Sequence, residues 1–502
     1  MSFIWNFPCF SIVLCIFGGI ISSALKGRAA KYLNAVILLA VAVMSACVLG
    51  YTLQTGESFT YVMGRFPAPW GNELRAGVLE GGMALFFSLI MILSLFAGRE
   101  KLNEEVEPEK MNLYFIMINL LLSSLLALVY TNDLFTAYVF VEINTISACG
   151  LIMIRQTGRT IEAATRYMIM SLLGSGMLLM GLCMLYDMTG HLLMENIHDS
   201  VLAIVENGQY HVPLMVTIGM ICVGLAIKSA LFPFHTWLPD AYGYSTVASA
   251  AILSSLVSKG YIFLLIKIIY RVIGFDVIYG SRVTDILFVF GLAGMIMGSL
   301  SAIKENDIRR MIAFSSVAQI GYIYMGFGLG TQVGVVASIF HILSHAATKS
   351  LLFISASGLV DASGGSKKFI DLTGAAYRNK IAGVAFSVGA LSMVGLPLFS
   401  GFISKLLFAQ AAVRNSGKML PTMIVLAIST ILNAIYFMKT VIRIYTPDRK
   451  GMAVQKNFVK IKAKDQMAKS VALVCFIILN LVLGLGSEPI IKLFEDGLKM
   501  FA

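Results

Sequence analysis

Apolar residues form long runs along this chain, and short stretches between them carry most of the charges. A helix needs about 20 consecutive apolar residues to cross the hydrocarbon core of a bilayer. The pattern therefore predicts an all-α polytopic membrane protein of about 14 transmembrane helices, called spans 1 to 14 in chain order. Their predicted ranges are 3–24, 33–54, 78–98, 112–130, 133–154, 164–186, 212–231, 243–270, 284–303, 311–329, 333–359, 382–408, 420–446 and 468–490.

Lysine and arginine are concentrated in the loops that follow odd-numbered spans, as at Lys26, Arg155, Lys304 and Lys367. The loop predicted at 187–211, after span 6, contains neither residue. Because basic loops are retained on the cytoplasmic side, the asymmetry predicts cytoplasmic odd loops. Both termini are then expected on the outer side of a cell (inner) membrane.

Composition supports a membrane protein and excludes several other classes. Of the 502 residues, 58% are hydrophobic and only 13% are charged, against about 25% charged in soluble domains. The net charge of +11 is explained by the loop lysines and arginines, so no nucleic-acid partner is predicted. The seven cysteines form no CxxC pair, and no Gly-rich phosphate loop follows a strand. No metal site and no cofactor are predicted.

Five charged residues and two histidines remain inside the predicted spans, where each charge costs about 2.5–3.5 kcal/mol on insertion scales. They must face the interior of the helix bundle, pair with one another or meet water. These residues are Glu142, Lys228, Lys259, His341, His345, Lys349 and Lys405.

A purely structural interpretation exists for several members of this set. Glu142 could only hold two helices together, His341 and His345 could be hydrogen-bonded core histidines, and Lys349 and Lys439 could extend to the membrane surface. However, the lysines outnumber Glu142, the one clear carboxylate in mid-span. Since burial disfavours the charged form of an amine, some lysine is expected to exchange its proton, as a relay requires.

The spacing of these residues adds detail. His341, His345 and Lys349 recur every four residues, on one face of a helix. Lys228 and His235 are seven residues apart, so they are also predicted to lie on one face. Predicted accessory polar residues are His235, Asp240, Ser255 and Ser258.

Prolines and glycines beside two of the lysines predict that spans 7 and 12 are broken helices. Pro233 follows Lys228, and the sequence GLPLFSG precedes Lys405. Broken helices with charges at corresponding positions are typical of inverted-repeat transporters. The offset of five spans predicts two inverted five-helix repeats, spans 4–8 and spans 9–13.

These segments resemble the antiporter-like subunits shared by respiratory complex I, Mrp-type Na+/H+ antiporters and membrane-bound hydrogenases. The resemblance covers roughly residues 112–408. It is carried by the helix around Glu142 and by AATRYMIMSLLGSG, KSALFPFHTWLPDAY, SKGYIFLL, ENDIRRMIAFSSVAQIGYI, HILSHAATKSLLF and GLPLFSGFISK.

The resemblance implies a role for each residue of the set. It implies that Glu142 and Lys228 form an ion pair and that Lys259 is a central relay. His341, His345 and Lys349 would connect this relay to Lys405, the terminal group on broken span 12. The implied domains are 1–111 with spans 1–3, 112–270 with the first repeat, 284–446 with the second repeat, and 447–502 with a basic cytoplasmic loop and span 14.

Within the family, the length and the stretch GRFPAPWGNELRAGVLEGG are similar to the D-type Mrp subunit or its hydrogenase counterpart. The sequence AYGYSTVAS replaces a histidine and an Ala-Pro pair that many relatives have after WLPDA, which puts proton entry there in question.

Two functions compete with ion translocation. A stand-alone secondary carrier for a small solute would also use broken helices, and an enzyme acting alone in the membrane would need cofactor or metal ligands. We expect an ion-translocating subunit of a redox-driven translocase or of an antiporter, not catalytic alone, with other membrane subunits, the lipid bilayer, H+ and Na+ as candidate partners.

Overall fold

The computed structural model describes residues 3–66, 71–208, 210–447 and 459–501. In these ranges, thirteen helices are long and apolar enough to cross a membrane. They are spans 1 to 11, 13 and 14: Phe3–Ala24, Gly27–Thr55, Val78–Glu105, Pro108–Tyr130, Leu134–Met153, Gly158–Thr189, His211–Tyr244, Val247–Ile273, Val283–Lys304, Ile308–Gly328, Gln332–Asp361, Ser416–Tyr445 and Met467–Leu485.

Span 12 consists of two shorter apolar helices, Lys380–Val394 and Ser400–Val413. Gly395 ends the first of them in a left-handed conformation, with a φ of 90°, and Pro397 follows in the connection. With this divided helix, the prediction of an all-α polytopic protein with about 14 spans is confirmed.

Span 7 is also broken, as predicted. Its first helix, His211–Ser229, ends one residue after Lys228, and a 3-10 turn, Phe234–Trp237, precedes a short helix, Leu238–Tyr244. The prediction that Lys228 and His235 share a helical face is wrong, because the helix ends between them.

Span 8 is continuous, but it contains two π-helical turns, Leu253–Val257 and Ile269–Ile273. A π turn holds one extra residue and changes the direction in which the following side chains point. Lys259 is the second residue after the first π turn, and Arg271 lies within the second turn.

Loop contacts place the connections on two faces. Two isolated β-bridges, between Leu74 and Thr131 and between Asp133 and Leu193, join loops that follow even-numbered spans. A third, between Asp307 and Lys368, joins loops that follow odd-numbered spans. We call these sides the even-loop face and the odd-loop face.

Three elements on the even-loop face differ from the prediction of plain loops. A hairpin of two antiparallel strands, Phe59–Val62 and Glu73–Ala76, precedes span 3. The helix Met194–Glu206 lies in the predicted 187–211 loop, and the helix Ser487–Lys499 follows span 14. Each of these helices buries only one apolar face, which local periodicity could have indicated.

Spans 8, 10 and 11 form the centre of the bundle. Spans 8 and 11 bury every residue of their most apolar stretch, whereas spans 1, 2, 6 and 13 bury well under half of theirs. The central spans carry Lys259 and the residues from His341 to Lys349. These polar side chains therefore lie inside the bundle, away from its lipid-facing surface.

Two predicted features fall partly outside the described residues. Positions 67–70 of the GRFPAPWGNELRAGVLEGG stretch are among them, and so are positions 448–458 of the basic loop before span 14.

Candidate functional site

Glu142 on span 5 and Lys228 on span 7 form a loose ion pair. The Oε1 atom of Glu142 lies 3.7 Å from the Nζ atom of Lys228, beyond hydrogen-bonding distance. Lys228 is fully buried, and the Glu142 side chain is 26% exposed. The two charges attract one another, but no direct hydrogen bond locks them together.

Hydroxyl groups take up the hydrogen bonds of Lys228 instead. Its Nζ atom donates to Thr145 Oγ1 at 2.8 Å and to Ser171 Oγ at 3.0 Å. It also lies 5.5 Å from the ring centroid of Tyr261 on span 8. The Tyr261 hydroxyl is 3.3 Å from Thr145 Oγ1, so polar contacts connect Lys228 to the helix that carries Lys259.

Lys259 is completely buried on span 8, and its Nζ atom donates to the backbone carbonyl of Ser254 in the adjacent π turn. One helical turn away, Ser255 Oγ donates to Ala346 O of span 11 at 2.9 Å. Ser258 Oγ lies 3.3 Å from the hydroxyl of Tyr242. Polar groups beside this lysine therefore join span 8 to span 11, through Ser255, and to span 7, through Ser258.

The two histidines stack along span 11, with parallel rings whose centroids are 6.0 Å apart. His341 Nδ1 is 3.0 Å from Ser404 Oγ on span 12. Both nitrogens of His345 are buried and have no hydrogen-bond partner among the described residues. A buried imidazole in this condition needs water or a partner that moves.

Lys349 does not extend to the membrane surface. It is fully buried, and its Nζ atom donates to Ile312 O at 2.8 Å and to Ser315 Oγ, both on span 10. The ammonium therefore lies inside the bundle, one turn beyond His345.

Lys405 lies beside the break in span 12. Its Nζ atom donates to Val394 O, at the end of the first half-helix, at 2.6 Å and to Thr430 Oγ1 of span 13 at 3.0 Å. It is 5.9 Å from the ring centroid of Tyr322, which also stacks on His341 at 5.5 Å. The break supplies a carbonyl without a helical partner, and the ammonium satisfies it.

The structure thus brings all seven predicted residues into one arrangement, which we call the buried axis. It runs from Glu142 and Lys228 through Lys259 to the histidines and lysine of span 11 and then to Lys405. Ser255 and Ser258 flank its middle.

The other two accessory residues lie away from the buried axis. Asp240 forms ion pairs with Arg166, at 2.8 Å, and with Arg310, in a partly exposed cluster on the odd-loop face. The ring of His235 stacks on Phe232, with centroids 5.4 Å apart. Sequence spacing linked His235 to Lys228, and the break in span 7 separates the two residues.

A polar junction around Asn480 of span 14 is absent from the prediction. Asn480 Oδ1 accepts hydrogen bonds from Thr348 at 3.0 Å, Ser392 at 3.0 Å and Ser400 at 2.9 Å. The junction holds span 11 against both halves of span 12. A single asparagine in an apolar run gives little signal from sequence alone.

A second buried charged group was also missed. Glu80, at the start of span 3, pairs with Arg271 of span 8 at 2.5 Å, and both side chains are buried. Lys267 is buried nearby on span 8 and donates to the carbonyls of Leu128, Val129 and Thr131 at the end of span 4. Glu142 is the one clear carboxylate in mid-span, as the sequence indicates, but Glu80 is a second buried carboxylate, at the start of a span.

Among the described residues, no group of three or more His, Cys, Asp or Glu side chains is placed to hold a metal ion. His341 and His345 lack a third ligand of that kind there.

Comparison with known proteins identifies the family of this chain. Residues 131–432 match the family described as NADH:quinone oxidoreductase/Mrp antiporter, TM. The chain belongs to this family. The matched range contains every residue of the buried axis.

Individual relatives agree with this assignment. The NADH-quinone oxidoreductase subunit N of Desulforudis audaxviator is 32% identical over 446 residues, covering 88% of this chain and 86% of the relative. The D-type subunit of the Na(+)/H(+) antiporter from Alkalihalophilus pseudofirmus is 27% identical over 430 residues, covering 86% of this chain and 83% of the relative.

Solved structures share the fold. A chain of the membrane-bound sulfane sulfur reductase, an archaeal respiratory membrane complex, superposes with a TM-score of 0.85 and 25% identity, over 100% of this chain and 97% of that chain. A chain of the Mrp complex from Dietzia sp. DQ12-45-1b has a TM-score of 0.86 at 24% identity, over 99% and 97%. The predicted family and fold are confirmed.

Proposed function

We propose that this protein is a proton-translocating membrane subunit of a multi-subunit ion-pumping complex, working either as a proton pump or in Na+/H+ exchange. The observation that carries the proposal is the loose Glu142–Lys228 pair at one end of the buried axis. Lys228 is held by hydroxyls that can accept its hydrogen bonds with or without the carboxylate nearby.

The chemistry follows from the burial of Lys228. A buried ammonium is stabilised by the opposite charge beside it, and it becomes costly when that charge moves away. Separation of Glu142 from Lys228 would therefore favour transfer of a proton from the Lys228 ammonium to a neutral Lys259, which leaves Lys228 as the free amine. Thr145 and Tyr261 connect Lys228 to span 8, which carries Lys259, and their hydroxyls can take part in relaying the proton.

The same exchange can continue to Lys405. The unpartnered nitrogens of His345 and the stacked ring of His341 can accept and return a proton. Lys405, bonded to a carbonyl freed by the break in span 12, would be the terminal group.

Partner subunits are needed to complete the site. Glu142 is 26% exposed on the outer surface of span 5, where its exposed neighbours Phe135 and Ile146 are apolar. A carboxylate facing lipid at this depth is costly. A neighbouring subunit that covers this face would shield Glu142 and could move it relative to Lys228.

The topology belongs to the proposal as well. Basic odd loops place the odd-loop face in the cytoplasm and both termini on the outer side of a cell (inner) membrane. The breaks in spans 7 and 12, five spans apart, support two inverted repeats within 112–270 and 284–446, flanked by 1–111 and 447–502.

The test is the substitution Glu142→Gln in inverted membrane vesicles that contain the assembled complex. We expect proton uptake, followed with a fluorescent dye, to fall to background while a blot shows normal subunit abundance. Glu104→Gln is the matched control, because Glu104 is exposed and pairs only with Lys101 at the surface. Wild-type uptake in the Glu142→Gln vesicles would refute the proposal and favour a carrier for another solute.

A further inference from the structure

The Glu80–Arg271 pair lies at the even-loop face, outside the buried axis. Spans 3, 4 and 8 all end or begin there, at Val78, Tyr130 and Ile273. Arg271 donates to Glu80 Oε1, whereas the other Glu80 oxygen accepts from the backbone N–H of Gly77 at 3.1 Å. The pair is thus fixed to the first turn of span 3.

This pair is incompletely satisfied. The Nε and Nη1 atoms of Arg271 are buried without a hydrogen-bond partner among the described residues. A buried guanidinium with unpaired N–H groups calls for water or for a second position of the side chain. Lys267 is buried one turn away, and the Arg75–Glu195 ion pair also lies near Arg271.

The segment 487–501, which comprises the helix Ser487–Lys499 and the two residues after it, covers the pair. The ring of Phe501, 1% exposed, lies over Arg271, with its centroid 4.0 Å from the guanidinium carbon. Arg75 Nη2 donates to Met500 O at 3.0 Å. Gly497 packs directly on span 3, where an added Cβ would lie 3.0 Å from the Cβ of Leu79.

The cover has few fully buried residues compared with the spans. Within the helix, Phe494, Gly497 and Leu498 are buried, and Ile490, Ile491 and Leu493 are partly buried against the core. Elements held by few buried contacts open at low free-energy cost compared with the whole fold. This segment can therefore detach while the spans stay packed.

Span 8 carries both Lys259 of the buried axis and the residues under the cover. Lys259 and Lys267 are eight residues apart, about 12 Å along a helix, and Arg271 follows one turn later. The ammonium of Lys267 can pass its proton to the Glu80 carboxylate once Arg271 turns away. The products are a neutral lysine and a carboxylic acid, and the acid then releases the proton to water beyond Phe501.

We propose that the Glu80–Arg271 pair and the 487–501 segment that covers it form a gate between the buried axis and the even-loop face. Closed, Phe501 excludes water from the pair. Open, it exposes Glu80 to water and allows Arg271 to move. This inference rests on the proposed function, since a gate requires an ion path behind it.

The first experiment measures passive proton leak in inverted vesicles of the assembled complex, without any energy source. Phe501→Ala removes the cover, and we expect the leak to rise several-fold. Phe501→Trp keeps an aromatic face over Arg271 and should leak like the wild type. Lys499→Ala is the control on the same helix, because the Lys499 side chain is 77% exposed. Equal leak in Phe501→Ala and the wild type would overturn the gate.

The second experiment locks the cover with a disulfide, and it decides the question even if Phe501→Ala fails to accumulate. In the double variant Leu79→Cys and Gly497→Cys, the Cβ atoms would lie 3.0 Å apart, below the 3.5–4.5 Å typical of a disulfide, so the helix has to shift outward slightly for the bond to form. We expect oxidation to stop coupled proton uptake and a reducing agent to restore it, with oxidised wild type as the control. Uptake unaffected by the cross-link would overturn the gate. Failure of the wild type itself to take up protons would instead refute the proposed function.

Discussion

Two buried lysines on span 8 allow a paired test of the account, because the same substitution should have opposite effects at the two positions. Lys259→Met removes one hydrogen bond, to Ser254 O, worth about 1.5–3 kcal/mol for a charged donor. It also removes the desolvation cost of a buried charge, which is several kcal/mol. The two terms nearly cancel, so we expect normal or raised stability and complete loss of proton uptake.

Lys267→Met should instead reduce the amount of folded protein. Lys267 donates to three carbonyls at the end of span 4, and each one left unsatisfied costs about 1–3 kcal/mol. Their sum is about 3–9 kcal/mol, and the desolvation cost that this substitution also removes offsets only part of it.

Both variants are measured in the same way. Blots and thermal unfolding in detergent report stability, and dye quenching in inverted vesicles reports proton uptake. Wild-type uptake by Lys259→Met would remove Lys259 from the buried axis. Normal abundance of Lys267→Met would refute the accounting of its hydrogen bonds.

Two further predictions concern packing and pH. Gly224→Ala should destabilise the protein by about 1–3 kcal/mol, because the added Cβ would lie 2.7 Å from Gly174 O where spans 6 and 7 cross. Gly219→Ala is the control, since its Cβ meets no atom within 4 Å, and it should unfold at the wild-type temperature. Burial and the adjacent Arg309 lower the pKa of Lys367, in the loop after span 11, to about 8. The unfolded chain then binds more protons than the folded one between about pH 8 and 10.5, so the stability of the protein should rise with pH over this window. Thermal unfolding across these pH values should show a smaller rise for Lys367→Gln than for the wild type.

Most of the buried axis is predictable from sequence for a simple physical reason. A charge within an apolar run of 20 residues is so costly that its position alone marks it as buried in the bundle. This reasoning identifies Glu142, Lys228, Lys259 and Lys405. It also predicts the breaks in spans 7 and 12, because proline and glycine next to the lysines interrupt the helical hydrogen bonds.

The rest depends on contacts between distant parts of the chain. Glu80 lies two residues from the start of span 3, where a carboxylate is usually solvated, and its burial depends on distant parts of the chain such as Arg271 of span 8. Asp240 was predicted as an accessory polar residue, yet it belongs to the cluster on the odd-loop face. Asn480 gains its significance only from the three hydroxyls that converge on it from other helices.

The central claim is that the lysines of the buried axis work by releasing protons and not merely by carrying charge. Lys405→Arg tests it most directly, because arginine keeps the positive charge but does not give up its proton. We predict that this variant assembles normally and takes up protons in vesicles no faster than Lys405→Ala, at background. Proton uptake at the wild-type rate by Lys405→Arg would contradict the account.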